Sequence, residues 1–487
     1  MLNLKELTIL HSNDMHGDFL AANVDEDLVG GMTLLSGYVQ DQREKTHNLI
    51  YCIAGDMLQG SLIDTEFKGI STIEIMNTLA PDLVSLGNHE TDYGLTHLLF
   101  LERCARFPIV NANIFIKNPY TRLFTPHKFI KKDGMRIMFI GLITEEVMAG
   151  IKSDNLISSL IDVQDAAAEV GRICNSYRNI DVDFTVLLTH IGFEEDKKLA
   201  ALLDPNWGVD VIIGGHSHTI LEEPVLVNNI LIAQAGVGTK QIGRFDFVVN
   251  TDTNDVHSFT WELIPINDKT CPRDEAMELL LSNFKEQTDQ KYGHVLGRLP
   301  RTLTHPSRYQ ETELGDLFAD AFASMTGVDV MLLGSGSIRT VTMQPLVTLG
   351  EIMQTTPYHG KLYQLTLTGT QLKQAWRYIL REEAFDGEHT EFFQVSERLH
   401  MTWNRQKQDF EIFEFDGSPV VGERTFLVAL QDFHFSNIET SLGLSLEEIE
   451  ANGEVVIIAT DEQEVLIEYF SKYTPEREDI DGRLTII

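Results

Sequence analysis

Five short apolar runs in the first half of the chain stop at the same kind of residue cluster. This constrains the fold more than any bulk property does. Leu7-Thr8-Ile9-Leu10 is followed by Asn13-Asp14-Met15-His16-Gly17. The run 49–54 ends in Gly55-Asp56, and 83–86 ends in Gly87-Asn88-His89-Glu90. The run 184–188 ends in Thr189-His190, and 209–213 in Gly214-Gly215-His216-Ser217-His218. Short β-rich runs bounded by turn residues read as buried strands. Between them, 33–43, 95–106 and 165–177 read as helices. Strands alternating with helices predict an α/β domain, whose ligands gather beyond the carboxyl ends of the strands. Clusters spread from Asn13 to His218 can therefore meet in one place.

Pooled, these clusters offer Asp14, His16, Asp56, Asn88, His190, His216 and His218. Carboxylate, imidazole and amide oxygen suit borderline-hard divalent ions: manganese or zinc first, cobalt next. Seven donors are too many for one tetrahedral ion and suit two neighbouring ions with Asp56 bridging. Two metals a few ångströms apart can hold a hydroxide and an ester oxygen together for in-line displacement at phosphorus.

The motifs NDMHG, GDMLQG, GNHETDYG, THIG and GGHSHT, in that order, resemble the calcineurin-like metallophosphoesterases, and within them the two-domain 5′-nucleotidase / UDP-sugar hydrolase family. The resemblance implies an N-terminal four-layer α/β/β/α metallophosphoesterase sandwich over 1–270. It implies a linker helix over 271–292 and a C-terminal α/β substrate-binding domain over 293–487. It assigns one metal to Asp14, His16, Asp56 and His218, the other to Asp56, Asn88, His190 and His216. Many members carry Gln where His218 stands. His89 and Asp92 match the family's catalytic pair, His89 acting on the phosphoryl or leaving-group oxygen and Asp92 fixing its tautomer. Glu90 is read as structural.

The second half resembles the family in RYQETELGDLFADAF (308–322), LLGSGSIR (332–339), the run 350–373, FFQVS (392–396) and LVALQDF (427–433). Its implied substrate contacts are Arg308 and Arg339 for the phosphate or ribose end, and Tyr358 and Phe433 as rings enclosing a base. Gly334 stands where many relatives have Asn, and HFSNIETSLGLS replaces the usual glycine-rich acidic loop after Phe433. His11 is expected to be packed in its strand, and His359 and His434 to lie in surface loops. The spacing of Met277, Leu280, Leu281 and Phe284 predicts a helix over 274–292.

Asp plus Glu number 73 against 38 Lys plus Arg, a formal charge of −35. That excludes a generic grip on a nucleic-acid polymer, which needs a basic face. The four widely spaced cysteines form no CxxC and read as core thiols of a reducing compartment. The start of the chain runs straight into a strand without signal-peptide features, and the apolar run 137–143 is too short to span a bilayer. A cytoplasmic protein with no membrane partner is expected. The expected activity is a 5′-nucleotidase-like phosphohydrolase of nucleotide catabolism, releasing phosphate from nucleotides or similar small esters by attack of a hydroxide held by two metals. A cyclic-nucleotide phosphodiesterase or a UDP-sugar or pyrophosphate hydrolase is the alternative on the same centre. A non-catalytic nucleotide sensor is the alternative of another class.

Overall fold

The structure is a computed structural model describing residues 2–24, 27–117, 120–144, 157–159, 162–384, 392–475 and 480–487. The chain divides into two compact units, Met1–Gln287 and Thr288–Ile487.

The first unit holds two six-stranded sheets. In one, Leu4–Ser12, Leu49–Ala54, Leu83–Ser85 and Ile109–Val110 run parallel, with the antiparallel hairpin Gln241–Asn250 / Asp255–Pro265 on the outer edge of Leu4–Ser12. In the other, Met135–Ile143, Phe184–His190, Val211–Ile213 and Ile230–Ala233 run parallel, flanked by antiparallel His127–Lys132 and Val225–Val227. Leu7, Ile9, Ile50 and Cys52 of the first sheet share a core with Ile137, Phe139, Val186 and Val211 of the second, so the sheets pack face to face. Alternation then sends Leu10, Tyr51 and Ile53 to the outer face of the first sheet, against helices Met32–Lys45 and Ile70–Leu79. Met138, Ile140 and Leu187 go to the outer face of the second, against Val163–Ser176 and Phe193–Leu202. Strands buried on both faces explain why these segments are continuous apolar runs. The result is four layers, helix, sheet, sheet, helix.

Helix Glu275–Tyr292 follows Cys271-Pro272 and buries Met277, Leu281 and Phe284 in the first unit's core. In the second unit a five-stranded sheet has the order Phe393–Val395, Val330–Gly334, Thr425–Gln431, Leu362–Thr368, Val456–Ala459. Helices Glu313–Thr326 and Glu462–Lys472 cover one face through Leu317, Phe318, Leu466 and Phe470. Helix Gly369–Ile379 and a four-stranded sheet cover the other through Trp376, Met401 and Trp403. Among the described residues no helix is long and apolar enough to cross a membrane.

Candidate active site

Five parallel strands, three from the first sheet and two from the second, deliver the seven donors from their carboxyl ends. Asp14 and His16 follow Leu4–Ser12, Asp56 follows Leu49–Ala54, and Asn88 follows Leu83–Ser85. His190 ends Phe184–His190, and His216 and His218 follow Val211–Ile213. Asp14 and Asp56 are fully buried.

The ligating atoms converge. Asp14 Oδ1 lies 3.5 Å from His218 Nε2 and 3.9 Å from His16 Nε2. His16 Nε2 lies 3.0 Å from His218 Nε2 and 3.8 Å from Asp56 Oδ2. Asp56 Oδ2 lies 3.0 Å from His190 Nε2. Asn88 Oδ1 lies 3.2 Å from His190 Nε2 and 2.9 Å from His216 Nδ1. The trio Asp14, His16, His218 and the trio Asp14, Asp56, His190 each place their donor atoms within 4.8 Å of one another.

One hydrogen bond shows what this arrangement demands. His190 Nδ1 donates to the Ala54 carbonyl over 2.8 Å. A carbonyl can only accept, so Nδ1 carries the proton and Nε2 of the neutral ring presents a lone pair. That lone pair faces the Asp56 carboxylate and the Asn88 amide oxygen, two further acceptors. Acceptors crowded together are stable only around positive charge. In a proton-only state, burial pushes the His190 pKa down, but Asp56 overrides it and holds it up at about 9. Burial likewise disfavours the Asp56 anion, yet His190 brings its carboxyl below the ordinary range. A divalent cation satisfies the same set, so the residues present fit a metal centre.

The backbone is strained where it serves this centre. Asp14, His16, Asp56, His216 and His218 adopt φ of 50°, 47°, 53°, 80° and 54°. Non-glycine residues there cost on the order of 1 kcal/mol each, and such strain concentrates at functional sites. Gly87 is required by close approach, since a Cβ there would lie 2.2 Å from Asp56 Oδ1.

Buried side chains behind the donors hold them. Glu90 accepts four backbone N–H bonds, from Asp56 (3.0 Å) and Gly87 (2.6 Å) on Oε2 and from Met57 (2.8 Å) and Leu58 (3.2 Å) on Oε1. Asn13 donates to Asp14 Oδ2 (2.6 Å) and to the Gly236 carbonyl (2.7 Å), and accepts from the Ala235 N–H (2.8 Å). Asp196, whose pKa burial pushes up to about 7, accepts from Thr189 Oγ1 and Gln234 Nε2 beneath the turn that carries His216. Asn13 and Glu90 sit inside recognisable motifs. Asp196 looks like any acid in the first turn of a helix and gives no signal in sequence.

His89 and Asp92 lie beside the cluster at a short 3-10 turn. His89 N–H donates to Asp56 Oδ1 (2.9 Å), and its Nδ1 meets Asp92 Oδ2 at 2.7 Å. Burial lowers the His89 pKa, but the Asp92 hydrogen bond and the Asp56 charge together hold it above the ordinary value. The ring is one-third exposed and so reachable by substrate.

In the second unit Arg308, Arg339, Tyr358 and Phe433 line one pocket of about 630 Å³. Tyr358 and Phe433 are 42% and 68% exposed, so neither is core packing. His359 is exposed and paired with Asp461. His434 departs from the surface-loop expectation: it is buried in the short helix Asp432–Ser436, because the segment after Phe433 turns helical and packs Ile438 and Leu442 into the core.

Comparison with known proteins agrees with this fold. Residues 7–219 match the calcineurin-like phosphoesterase family, and 292–440 match the 5′-nucleotidase C-terminal domain. The chain is 29% identical over 424 residues to a trifunctional nucleotide phosphoesterase of Bacillus subtilis, covering 76% of this chain but 27% of that longer protein. It is 28% identical to the snake venom 5′-nucleotidase of Naja atra over 80% of each chain. The crystal structure of a 5′-nucleotidase precursor from Thermus thermophilus shares the fold with a TM-score of 0.79 at 23% identity, over 99% of both chains. The chain belongs to the two-domain 5′-nucleotidase family of phosphoester hydrolases, which joins a calcineurin-like phosphoesterase domain to a 5′-nucleotidase C-terminal domain.

Proposed function

We propose that the protein releases phosphate from nucleotides or similar small phosphate esters, with two divalent ions, manganese or zinc, held at the strand ends of the first unit. The observation that carries this reading is the all-acceptor face around His190 Nε2, Asp56 and Asn88. Asp14, His16, Asp56 and His218 would hold one ion, and Asp56, Asn88, His190 and His216 the other. Ions bound there supply Lewis acidity toward a phosphoryl oxygen and lower the pKa of a water molecule.

The chain's own residues do the rest. Asp92 keeps the proton of neutral His89 on Nδ1 and supports the ring's protonated form, so Nε2–H of that form can stabilise a phosphoryl oxygen or protonate the leaving oxygen. In the second unit, Arg308 and Arg339 offer forked donors to the phosphate or ribose end. Tyr358 and Phe433 offer faces for a base, worth roughly 1–3 kcal/mol of stacking.

Phosphate release tests the reading, using 5′- and 3′-mononucleotides, 2′,3′-cyclic nucleotides, UDP-glucose and a sugar phosphate with added manganese, zinc or cobalt. A coupling phosphatase reports the diesters. Mononucleotide turnover is expected, and His89→Ala should abolish most of it while metal content stays unchanged. A protein that binds nucleotides and turns over none of the panel with any metal would be a sensor instead.

A further inference from the structure

Beside the pocket lined by Tyr358 and Phe433, the space next to a glycine is filled by a side chain from a different place in the chain. Gly334 ends the strand Val330–Gly334. A Cβ built on it would lie 1.9 Å from His434 Nε2, with Cε1 and Cδ2 at 2.7 and 2.9 Å. No side chain fits at 334 while His434 keeps its position, so the imidazole occupies the volume that a residue there would fill. His434 is 2% exposed and lines the pocket with Tyr358 and Phe433. Its Nδ1 has no hydrogen-bond partner among the described residues. Its ring meets Phe433 at 85° and Phe393 at 64°, so it stacks on neither.

A buried polar atom without a partner is costly and needs an explanation. Packing alone does not supply one, because an apolar ring would fill the space without that cost. Gln431, beside it in the pocket lining, is already engaged. Gln431 Oε1 accepts from the Gly334 N–H (3.1 Å) and Ser337 Oγ (2.9 Å), and its Nε2 donates to Glu462. The imidazole is thus a buried polar group without a partner among the described residues, in the lining of a pocket that also carries two exposed aromatic rings.

We propose that His434 is the specificity-determining residue of this pocket: standing in for the missing side chain of Gly334, it hydrogen-bonds the edge of a flat heterocycle held against Tyr358 and Phe433, the base of a nucleoside. This rests on the nucleotide reading above and deepens it by naming the group that distinguishes one base from another. Burial holds the ring neutral, with a pKa lowered to about 4, so it offers one donor and one acceptor nitrogen across the neutral range.

Nucleosides carry no phosphate to hydrolyse, so the test is calorimetric binding of adenosine, inosine, uridine and cytidine to the full chain. The intact protein should prefer one of them. His434→Phe keeps the ring and removes both nitrogens. It should keep the melting temperature, weaken the preferred nucleoside roughly tenfold and narrow the spread among the four. Should that variant not fold, His434→Gln, which presents an amide instead, should change the order of preference. Unchanged affinities in the variant that folds would overturn the proposal. So would failure of the intact protein to bind any of the four, an outcome separate from the nucleotide reading, which phosphate release judges. The shape premise has its own check. Gly334→Ala should lower the melting temperature and His434→Ala added to it should restore the loss; a fully stable Gly334→Ala would refute the stand-in.

Discussion

Replacing Glu90 by Gln tests whether the candidate metal site is held by a buried carboxylate. Glu90 is 3% exposed, and both of its oxygens are committed, each to two backbone N–H groups of the turns that carry Asp56 and Asn88. Gln keeps one oxygen and so one pair of these bonds. Its NH₂ faces the other pair donor to donor. Two buried donors left without acceptors cost roughly 1–3 kcal/mol each, or about 2–6 kcal/mol together. In a unit the size of Met1–Gln287 each kcal/mol is worth about 2–4 °C, so the first transition should fall by roughly 5–20 °C. Because Asp56 N–H and Gly87 N–H are among the four donors, the turn that aims Asp56 loosens, and manganese affinity should fall with the melting temperature. Differential scanning calorimetry and manganese titration of the full chain give both numbers, with Glu90→Asp as the charge-retaining control. If Glu90→Gln melts within a degree of the parent and binds manganese equally well, the clamp is not what holds the turn.

Three further outcomes are expected. Asp92→Asn removes the charge behind His89 while keeping an acceptor, so it should slow phosphate release by less than the roughly 10²–10⁴-fold expected of His89→Ala; unaltered metal content by atomic absorption checks that the ligands are intact. His218→Gln exchanges imidazole nitrogen for an amide oxygen, a harder donor, so the ratio of zinc to manganese affinity should fall in competition titrations. His11 is fully buried, stacked on Trp261, and burial lowers its pKa from 6.5 to about 3. The native state therefore binds fewer protons than the unfolded chain between those values. The stability held above pH 6.5 is lost as pH falls through the window, by about 1.4 kcal/mol per pH unit. His11→Phe should flatten that slope in urea titrations at stepped pH.

What could be read from the sequence was what repeats. Short runs such as Leu49–Ala54 announce strands because both of their faces are buried, and the donors announce themselves because metal ligation uses few residue types. The helix read over 165–177 is the helix Val163–Ser176. Pairings across long sequence distance were not legible. Nothing in Gly334 or His434 taken singly predicts that one fills the other's space, because the meeting depends on the segment after Phe433 becoming helical rather than remaining a loop. Asp196 was hidden too: its partners are Thr189 in the preceding strand and Gln234 just past the strand Ile230–Ala233, and an acid near a helix start is usually solvated.

The strained backbone of the site shows how these levels connect. A left-handed turn at Asp14, His16 or Asp56 is unfavourable alone, yet the turns containing them are bonded to each other. Asp14 N–H donates to Gly55 O (3.1 Å), His16 N–H to Asp56 O (3.0 Å), and Gly17 N–H to Met57 O (3.0 Å). The second sheet joins through His216 N–H, which donates to Asp14 Oδ1 over 2.9 Å. The backbone N–H of His16 is thus fixed by Asp56 and that of His216 by Asp14, partners that are themselves strained, and Glu90 and Asn13 fix the set from behind. Loosening one turn releases the others, so the ligands form one cooperative unit rather than seven independent side chains. Substitutions at Asn13 and Glu90 should accordingly show coupled, non-additive losses of metal affinity. Strict additivity in a double-mutant cycle would mean that each turn keeps its shape alone, and the mutual bracing inferred from these hydrogen bonds would be wrong.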